Sequence, residues 1–587
     1  MNSEEPIAAA AEISPEPVPH RRLPLLAGAL VLVVLWGGLQ LWGLGRTPFH
    51  THGEAREALV VWQMTHGGGW ILPRRDGPTG IELPSKPPLF HWLAALTALV
   101  HGGTAEGSIR LPSAALSLGG VLATYAAGVA LWGLPAGMFG AVITMTSFEW
   151  QRAATSARVD MALTFGLLGA LFSYLFFVRS QGHRRWLVPF YGAMAFATLA
   201  KGPVGVALPA LVIAASCAVR RDTTPLRQLR LGRGLLAVAV ITGLWYLLAL
   251  IIGGFDFFGK QVLNENLFRM FDATEYEGGH RHGPLYLLGG LAAGFLPWTL
   301  FLPGAAVGLW RARRELMAGD WRGYLLLWVA AVFGLYALAV SKRSVYLLAL
   351  YPALGLLLGQ WWASALSTTV GDLEPAWWRA VLRLVALLVA ALMLVLMAVT
   401  GIEALGLRLV ETAGAGWAGE AALYSRWVGE VLHAQPAGIL ALLAAAAVSL
   451  WGLALALRRP GRWALAFAAM VGAACAGSVL TQQIVLPQIA AHKTYRDFMT
   501  AVRQVVGQEP IAFHRTFEYV AVFYWGGHLA SYQGELTDAA PRYLLMARAD
   551  WEQLAAPQRG RFERVELPAG LEDGNRRRLL LLRRHDG

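Results

Sequence analysis

The chain is 587 residues long, 56% hydrophobic and 15% charged, with a mean hydropathy of +0.48. A soluble globular domain carries about 25% charged residues, so this composition excludes one and places the chain in a bilayer. The net charge of +12 lies largely in short loops between apolar runs, where it reads as a topology signal and argues against nucleic acid as a partner.

Residues 1–22 are polar and rich in Pro, Ala and Glu, as expected of a disordered cytoplasmic tail. The apolar run at 23–44 is too long for a signal-peptide core of about 7–15 residues and lacks a convincing cleavage site, which makes it an uncleaved span. A helix needs about 20 apolar residues to cross the hydrocarbon core. Further candidates follow at 111–131, 135–150, 161–178, 186–200, 203–219, 234–253, 284–310, 323–340, 344–365, 380–400, 437–457 and 463–486. The fold class expected is therefore a polytopic α-helical membrane protein of about thirteen transmembrane helices. The run "LFHWLAALTALV" (89–100) is too short to cross and is expected to lie in the interface or to re-enter. Cys217 and Cys475 sit in separate apolar runs, which argues against a disulfide framework or a zinc site.

Leaving 89–100 out of the count puts the arginine-rich loops "RSQGHRR" (179–185), "RRDTTPLRQLRLGR" (220–233), "RARRELMAGDWR" (311–322) and "RRPGR" (458–462) on one side. By the positive-inside rule that side is cytoplasmic and holds the N-terminus. The localisation expected is a bacterial inner membrane, with a large first periplasmic loop at 45–110 within a membrane domain at 23–488. From about Ile489 the composition changes. "YRDFMTAVRQVV" reads as an amphipathic helix, and "PIAFH", "YVAVFYW", "RYLLMA" and "RRLLLLRR" read as short strands. Residues 489–587 are thus expected to form a small periplasmic α/β domain.

Ionisable residues gather at helix ends on the outer side. "THGEAREAL" (51–59) carries Glu54, Arg56 and Glu57 beside His52. Such groups are costly at a membrane, and a site is the default hypothesis; for a basic residue the alternative is snorkelling to the headgroups. In "ELPSKPPLFHW" (82–92) two prolines hold Lys86 on a stiff, extended turn, suited to a phosphate or simply to a Pro-terminated loop. Asp160 in "SARVDMALTF" opens a span, as a site acid or as a residue answering the helix dipole. Lys201 in "LAKGPVG" breaks an apolar stretch. "SKRSVYLLALYP" places Lys342 and Arg343 at one helix end with Tyr346 a turn below, a pairing that suits a phosphate ester. His280 and His282 in "GGHRHGPLYLL" are weak evidence for a metal. Glu57, one helical step from Glu54, is expected to face solvent.

The order of these segments ("KPPL", "RLPSA", "RVDMALTF", "LAKGP", "HRHGPLYLL…PW", "SKRSVYLL…YP") resembles the ArnT-like and protein O-mannosyltransferase superfamily, GT-C-fold glycosyltransferases that use polyprenyl-phosphate sugars. The resemblance implies a sugar moved from a donor such as undecaprenyl phosphate-linked sugar to a lipid A-like lipid, a glycan or a protein, as in lipopolysaccharide modification. It implies catalytic roles for Asp160 and Glu54. Arg56, Lys86, Lys201, Lys342, Arg343 and Tyr346 would bind the donor phosphate, with Glu82, Ser85 and His282 near the substrates. Two departures stand out: the first-loop motif Asp-Glu-x-Arg reads Gly53-Glu54-Ala55-Arg56 here, and the acid before Lys-Pro is Ser85, with Glu82 nearby. No cofactor is named by the sequence, and a divalent metal is left open. A lipid-linked sugar transporter or flippase, or a catalytically inactive scaffold of the same fold, are the rival readings.

Overall fold

The computed structural model describes residues 22–268, 282–283, 285–317, 320–367, 376–404, 436–458, 461–537, 539–567 and 579–585. Residues 1–21 of the tail expected at 1–22, most of the segment 401–436, and His280 lie outside them. The membrane part opens with α1 (Arg22–Trp36), continued by one wide turn to Leu41. The first loop then builds α2 (His52–Thr65), the hairpin β1–β2 (Arg75–Gly77, Gly80–Glu82) and α3 (Leu89–Val100). Long apolar helices follow: α4 (Glu106–Trp132), α5 (Leu134–Thr146), the short α6 (Phe148–Ala154), α7 (Val159–Arg179), α8 (Leu187–Lys201) and α9 (Val204–Arg220).

Among the described residues, eight helices are long and apolar enough to cross a membrane. The pair Leu285–Gly294 and Trp298–Arg311, bent by 106°, makes a ninth if taken as one broken span. The four other expected spans fall on α5, α8 and α9, of 13, 15 and 17 residues, and on the helix Ala376–Ala404. The helices approach closely where side chains are absent. A Cβ on Gly359 would lie 2.4 Å from the Gly140 nitrogen, the small-residue contact that packs helices without a hydrophobic drive.

At 12 residues, α3 is about 18 Å long and cannot cross a core of about 30 Å. It buries Phe90, His91, Ala94, Ala95 and Ala98 and leaves Leu96, Leu99 and Val100 exposed, the division expected of a helix lying in the interface.

The C-terminal domain is a five-stranded mixed sheet in the order β4-β3-β5-β7-β6 (β3 Ile511–His514, β4 Ala530–Tyr532, β5 Tyr543–Ala547, β6 Phe562–Arg564, β7 Leu579–Arg584). The amphipathic helix Arg496–Val506 buries Phe498, Met499, Val502 and Val506. One expectation is corrected. "YVAVFYW" is not a strand but the helix Tyr519–Trp525, ended by Gly526 at φ +67°. A short run that is apolar on every side has no period to distinguish strand from helix, and Gly526 supplies the left-handed stop that favours a helix. That helix packs on α2, and one apolar core runs through both: Phe49, Leu59, Val60, Phe90 and Ala94 pack with Phe498, Val502, Phe523 and Leu545.

Tyr524 stitches the two parts together. Its hydroxyl accepts from the Phe49 N–H at 2.8 Å and donates to Glu106 at 2.7 Å. Tyr524→Phe strands the Phe49 N–H and leaves the Glu106 carboxylate to Arg496 alone, at a cost of about 1–3 kcal/mol. The detergent-solubilised variant is expected to unfold at a lower temperature than wild type, and equal midpoints would show that the hydroxyl carries no part of the docking.

Candidate active site

Helix α2 begins with Thr51, whose side chain accepts from the Glu54 N–H at 3.3 Å. Thr51-x-x-Glu54 is a capping-box pattern, yet the Glu54 carboxylate turns elsewhere. It accepts Nε and Nη2 of Arg110 at 2.9 and 3.1 Å and the Ala157 N–H at 2.9 Å. Arg110 in turn donates to the carbonyls of Leu44 and Thr47. Burial pushes the Glu54 carboxyl up, but the Arg110 charge and these bonds outweigh it, and the net shift is downward. Glu54 is thus a buried tie between the first loop, α4 and the turn before α7.

Glu57 does not face solvent: it is buried at 5% exposure. The correction has a clear cause. The fully buried His91 of α3 holds the Glu57 carboxylate at 2.8 Å, and Arg56 Nη2 reaches it at 3.3 Å. Burial raises the Glu57 carboxyl; the His91 bond and the charges of Arg56, His91 and Arg75 more than reverse this, leaving it well below the usual carboxylate range. The Arg56 guanidinium is held by this carboxylate yet remains 31% exposed.

Beside it, Lys86 is buried on its proline-stiffened turn, with Nζ 2.5 Å from Glu265. The turn is fixed by Gln261, which donates to the Pro84 carbonyl at 2.7 Å. Ser85 is buried there too. Glu82, on β2, pairs with Arg75 at 3.4 Å and Lys260 at 3.8 Å. Arg56 also feels the charge of Glu265, so Arg56 and Lys86 share one acidic neighbour.

Asp160 stands in the first turn of α7, 8% exposed. Its Oδ1 meets Nζ of Lys201, the last residue of α8, at 2.5 Å, and its Oδ2 lies 3.8 Å from Arg158 Nε. Lys201 sits 4.3 Å from the Tyr346 ring centroid, which Tyr336 backs at 5.1 Å. Arg343 acts on Asp160 through its charge. Lys342 is buried and donates to the Ala339 carbonyl at 2.6 Å. Asp160, Lys201, Arg343 and Tyr346 therefore meet at one end of the bundle. The arginines Arg179 and Arg220 end α7 and α9 at the other.

Two residues stand apart from this cluster. His282 is exposed and stacks on Tyr286 at 4.1 Å. His52 is exposed and pairs with Glu518 of the C-terminal domain at 3.0 Å. Among the described residues there is no group of three or more His, Cys, Asp or Glu arranged to hold a metal ion. His91, Arg158 and Glu265 were not singled out from the sequence, and Glu57 was placed there facing solvent. For Glu57 and His91 the missing signal is a contact 34 residues apart in sequence.

Gly53 explains the first departure in the motif. A Cβ there would lie 2.8 Å from Cζ, Nη1 and Nη2 of Arg158. The guanidinium lies flat over the bare Cα, in the space an aspartate would enter.

Residues 85–251 match the family profile described as dolichyl-phosphate-mannose-protein mannosyltransferase. The chain is 28% identical over 334 residues to the undecaprenyl phosphate-alpha-4-amino-4-deoxy-L-arabinose arabinosyl transferase 2 of Pseudomonas fluorescens, covering 53% of each chain. It is 30% identical over 314 residues to an uncharacterized protein of Aquifex aeolicus, covering 52% of this chain and 66% of that one. The chain matches about half the length of its arabinosyl transferase relatives. The crystal structure of ArnT from Cupriavidus metallidurans bound to undecaprenyl phosphate superposes with a TM-score of 0.72 at 20% identity, covering 95% of this chain and 97% of that one. At that identity the likeness is one of fold, and it takes in the C-terminal domain as well as the helices. Motif order, sequence similarity and whole-chain fold agree: this multi-pass membrane protein has the ArnT fold and is similar in sequence to the dolichyl-phosphate-mannose-protein mannosyltransferase profile over residues 85–251 and to the arabinosyl transferases over about half their length.

Proposed function

We propose that the chain is a membrane glycosyltransferase that moves a sugar from a polyprenyl-phosphate donor to an acceptor of the cell envelope, with inversion at the anomeric carbon. The observation that carries this reading is Asp160, a carboxylate buried at the mouth of the bundle and held by Lys201 at 2.5 Å, within reach of several cations. In the reaction, the acceptor hydroxyl or amine forms a bond to the anomeric carbon as the bond to the phosphate oxygen breaks. The electron pair leaves with the polyprenyl phosphate, and the acceptor proton passes to Asp160. The leaving group is already a stable anion, so catalysis consists largely of stabilising the charge that builds on it with preorganised cations.

Arg56 and Lys86 are assigned to that phosphate. Both are anchored from behind, Arg56 by Glu57 and Lys86 by its proline turn, and a carboxylate already rests on Lys86, which supports an anion site there. Lys201 fixes one oxygen of Asp160 and leaves the other for the nucleophile. Lys342, Arg343 and Tyr346 line the same end in support. Glu54, whose oxygens are committed to Arg110 and Ala157, positions the loop and does not exchange protons. The helix ends bearing the arginine-rich loops are assigned to the cytoplasm by the positive-inside rule, which puts the site and the C-terminal domain in the periplasm.

Three outcomes are expected. Mass spectrometry of envelope lipids, glycans and proteins with and without the gene product shows the loss of one hexose-, pentose- or aminosugar-sized mass. Its absence with every polyprenyl donor would favour a flippase or an inactive scaffold. Asp160→Asn lowers the transfer rate by roughly 100-fold or more, the scale of general-base loss, while donor binding persists; normal transfer would remove Asp160 as the base. Glu57→Gln weakens donor saturation through Arg56 and also changes the acid limb of stability. The Glu57 carboxyl is depressed in the folded protein, so its contribution is complete above the ordinary glutamate value and fades as pH falls through the lower folded value. The unfolding midpoint of wild type is therefore expected to fall below about pH 4, and that of Glu57→Gln to fall less over the same range.

A further inference from the structure

A chamber of about 300 Å³ opens beside Arg158, the neighbour of Asp160, between the loop ahead of α2, the segment Phe148–Arg158 and the turns around Thr481–Leu486. Three arginines and one carboxylate, Glu54, line it. Two of the arginines are answered: Arg110 is paired bidentately with Glu54, and Arg152 donates Nε and Nη2 to Glu149 at 2.8 and 2.5 Å. Arg158 is different. Its described polar partner is Asp160 at 3.8 Å, beyond hydrogen-bond distance, and Asp160 is already committed to Lys201. A guanidinium with open donors on the wall of a chamber is the complement of an anionic group that accepts hydrogen bonds.

Gly53 is what allows this. The planar Arg158 guanidinium rests on the bare Cα, 2.8 Å from where any Cβ would stand. Backbone and guanidinium cannot both keep their places once a side chain is added, and the flexible partner, Arg158, must move.

We propose that this chamber is the acceptor site, and that Arg158, admitted by Gly53, binds an anionic group of the acceptor, a phosphate or a carboxylate, and so presents the neighbouring nucleophile to the free oxygen of Asp160. The inference rests on the transferase reading above and names the side of the site that the reading left open. Arg158 acts as a positioning residue on substrate and takes no proton. Arg152, Arg110 and His50 line the same chamber and set its electrostatic background.

The test uses full-length protein in detergent, a polyprenyl-phosphate sugar and an extract of envelope lipids as acceptor pool. Arg158→Ala and Gly53→Ala are each expected to raise the half-saturating amount of extract roughly 10- to 100-fold, the scale of a charged hydrogen bond. Donor saturation stays where it is. The double variant is expected to be no worse than Arg158→Ala, because both changes remove one contact. Arg158→Lys recovers part of the loss, since it keeps the charge but not the fork. Inorganic phosphate and acetate, added separately, compete with the extract for wild type and not for Arg158→Ala, and the stronger competitor identifies the anion. Additive losses, or a shift in donor saturation alone, would overturn the assignment. If wild type transfers no sugar, the transferase reading fails. The anion site is then judged by inorganic phosphate alone, which should raise the unfolding midpoint of wild type more than that of Arg158→Ala or Gly53→Ala; equal shifts in all three would end it. Arg158→Lys guards against loss of fold, since it changes neither volume nor charge greatly.

Discussion

An ionised carboxylate at the end of an apolar helix is tenable only if a cation answers it, and the contact between Asp160 and Lys201 at 2.5 Å is that answer. Removing either partner leaves an uncompensated buried charge, at several kcal/mol. The pairing fixes how the start of α7 meets the end of α8. Tyr346 is drawn under Lys201, and Arg158 is left poised above. The same logic recurs at Glu54 with Arg110 and at Glu57 with His91 and Arg56. Charges at the mouth of the bundle are held as linked pairs, each borrowing one partner from a different segment of chain.

This arrangement separates two kinds of residue that look alike in sequence. Glu54 and Glu57 lie three positions apart on α2, and both are buried. Glu54 spends its carboxylate on Arg110 and the Ala157 N–H, and so ties the first loop to the bundle. Glu57 spends its own on a histidine from α3 and on its neighbour Arg56, and so aims a guanidinium. Neither oxygen pair is left for chemistry, and of the three buried carboxylates only Asp160 keeps an oxygen outside hydrogen-bond reach of a described partner.

Much of the fold was legible in the chain because a bilayer demands long apolar runs, and the arginine-rich ends of α7 and α9 mark one face. The failure to distinguish strand from helix at Tyr519–Trp525 came from a run whose two sides are both apolar, one facing the sheet core and one facing α2. At the site, Asp160, Lys86 and Lys201 could be found because a charge interrupting an apolar stretch is conspicuous. Glu57 could not, because the position that buries it, His91, belongs to α3 and reads as an ordinary interfacial histidine. Arg158 was hidden for a subtler reason: its place is defined by an absence, the missing side chain of Gly53, and only coordinates show what fills the gap.

The bridge from Phe49 to Tyr524 joins residues 475 positions apart. During synthesis at about 5–20 residues per second, the first loop would be made long before the C-terminal domain that covers it exists. For roughly half a minute or more the apolar faces of Phe49, Leu59 and Phe90 must wait uncovered, with the adjacent α3 lying along the membrane surface as their nearest apolar shelter. The last stretch of polypeptide is therefore what covers α2 and α3, and a chain released early would leave their apolar faces bare at the edge of the helical bundle.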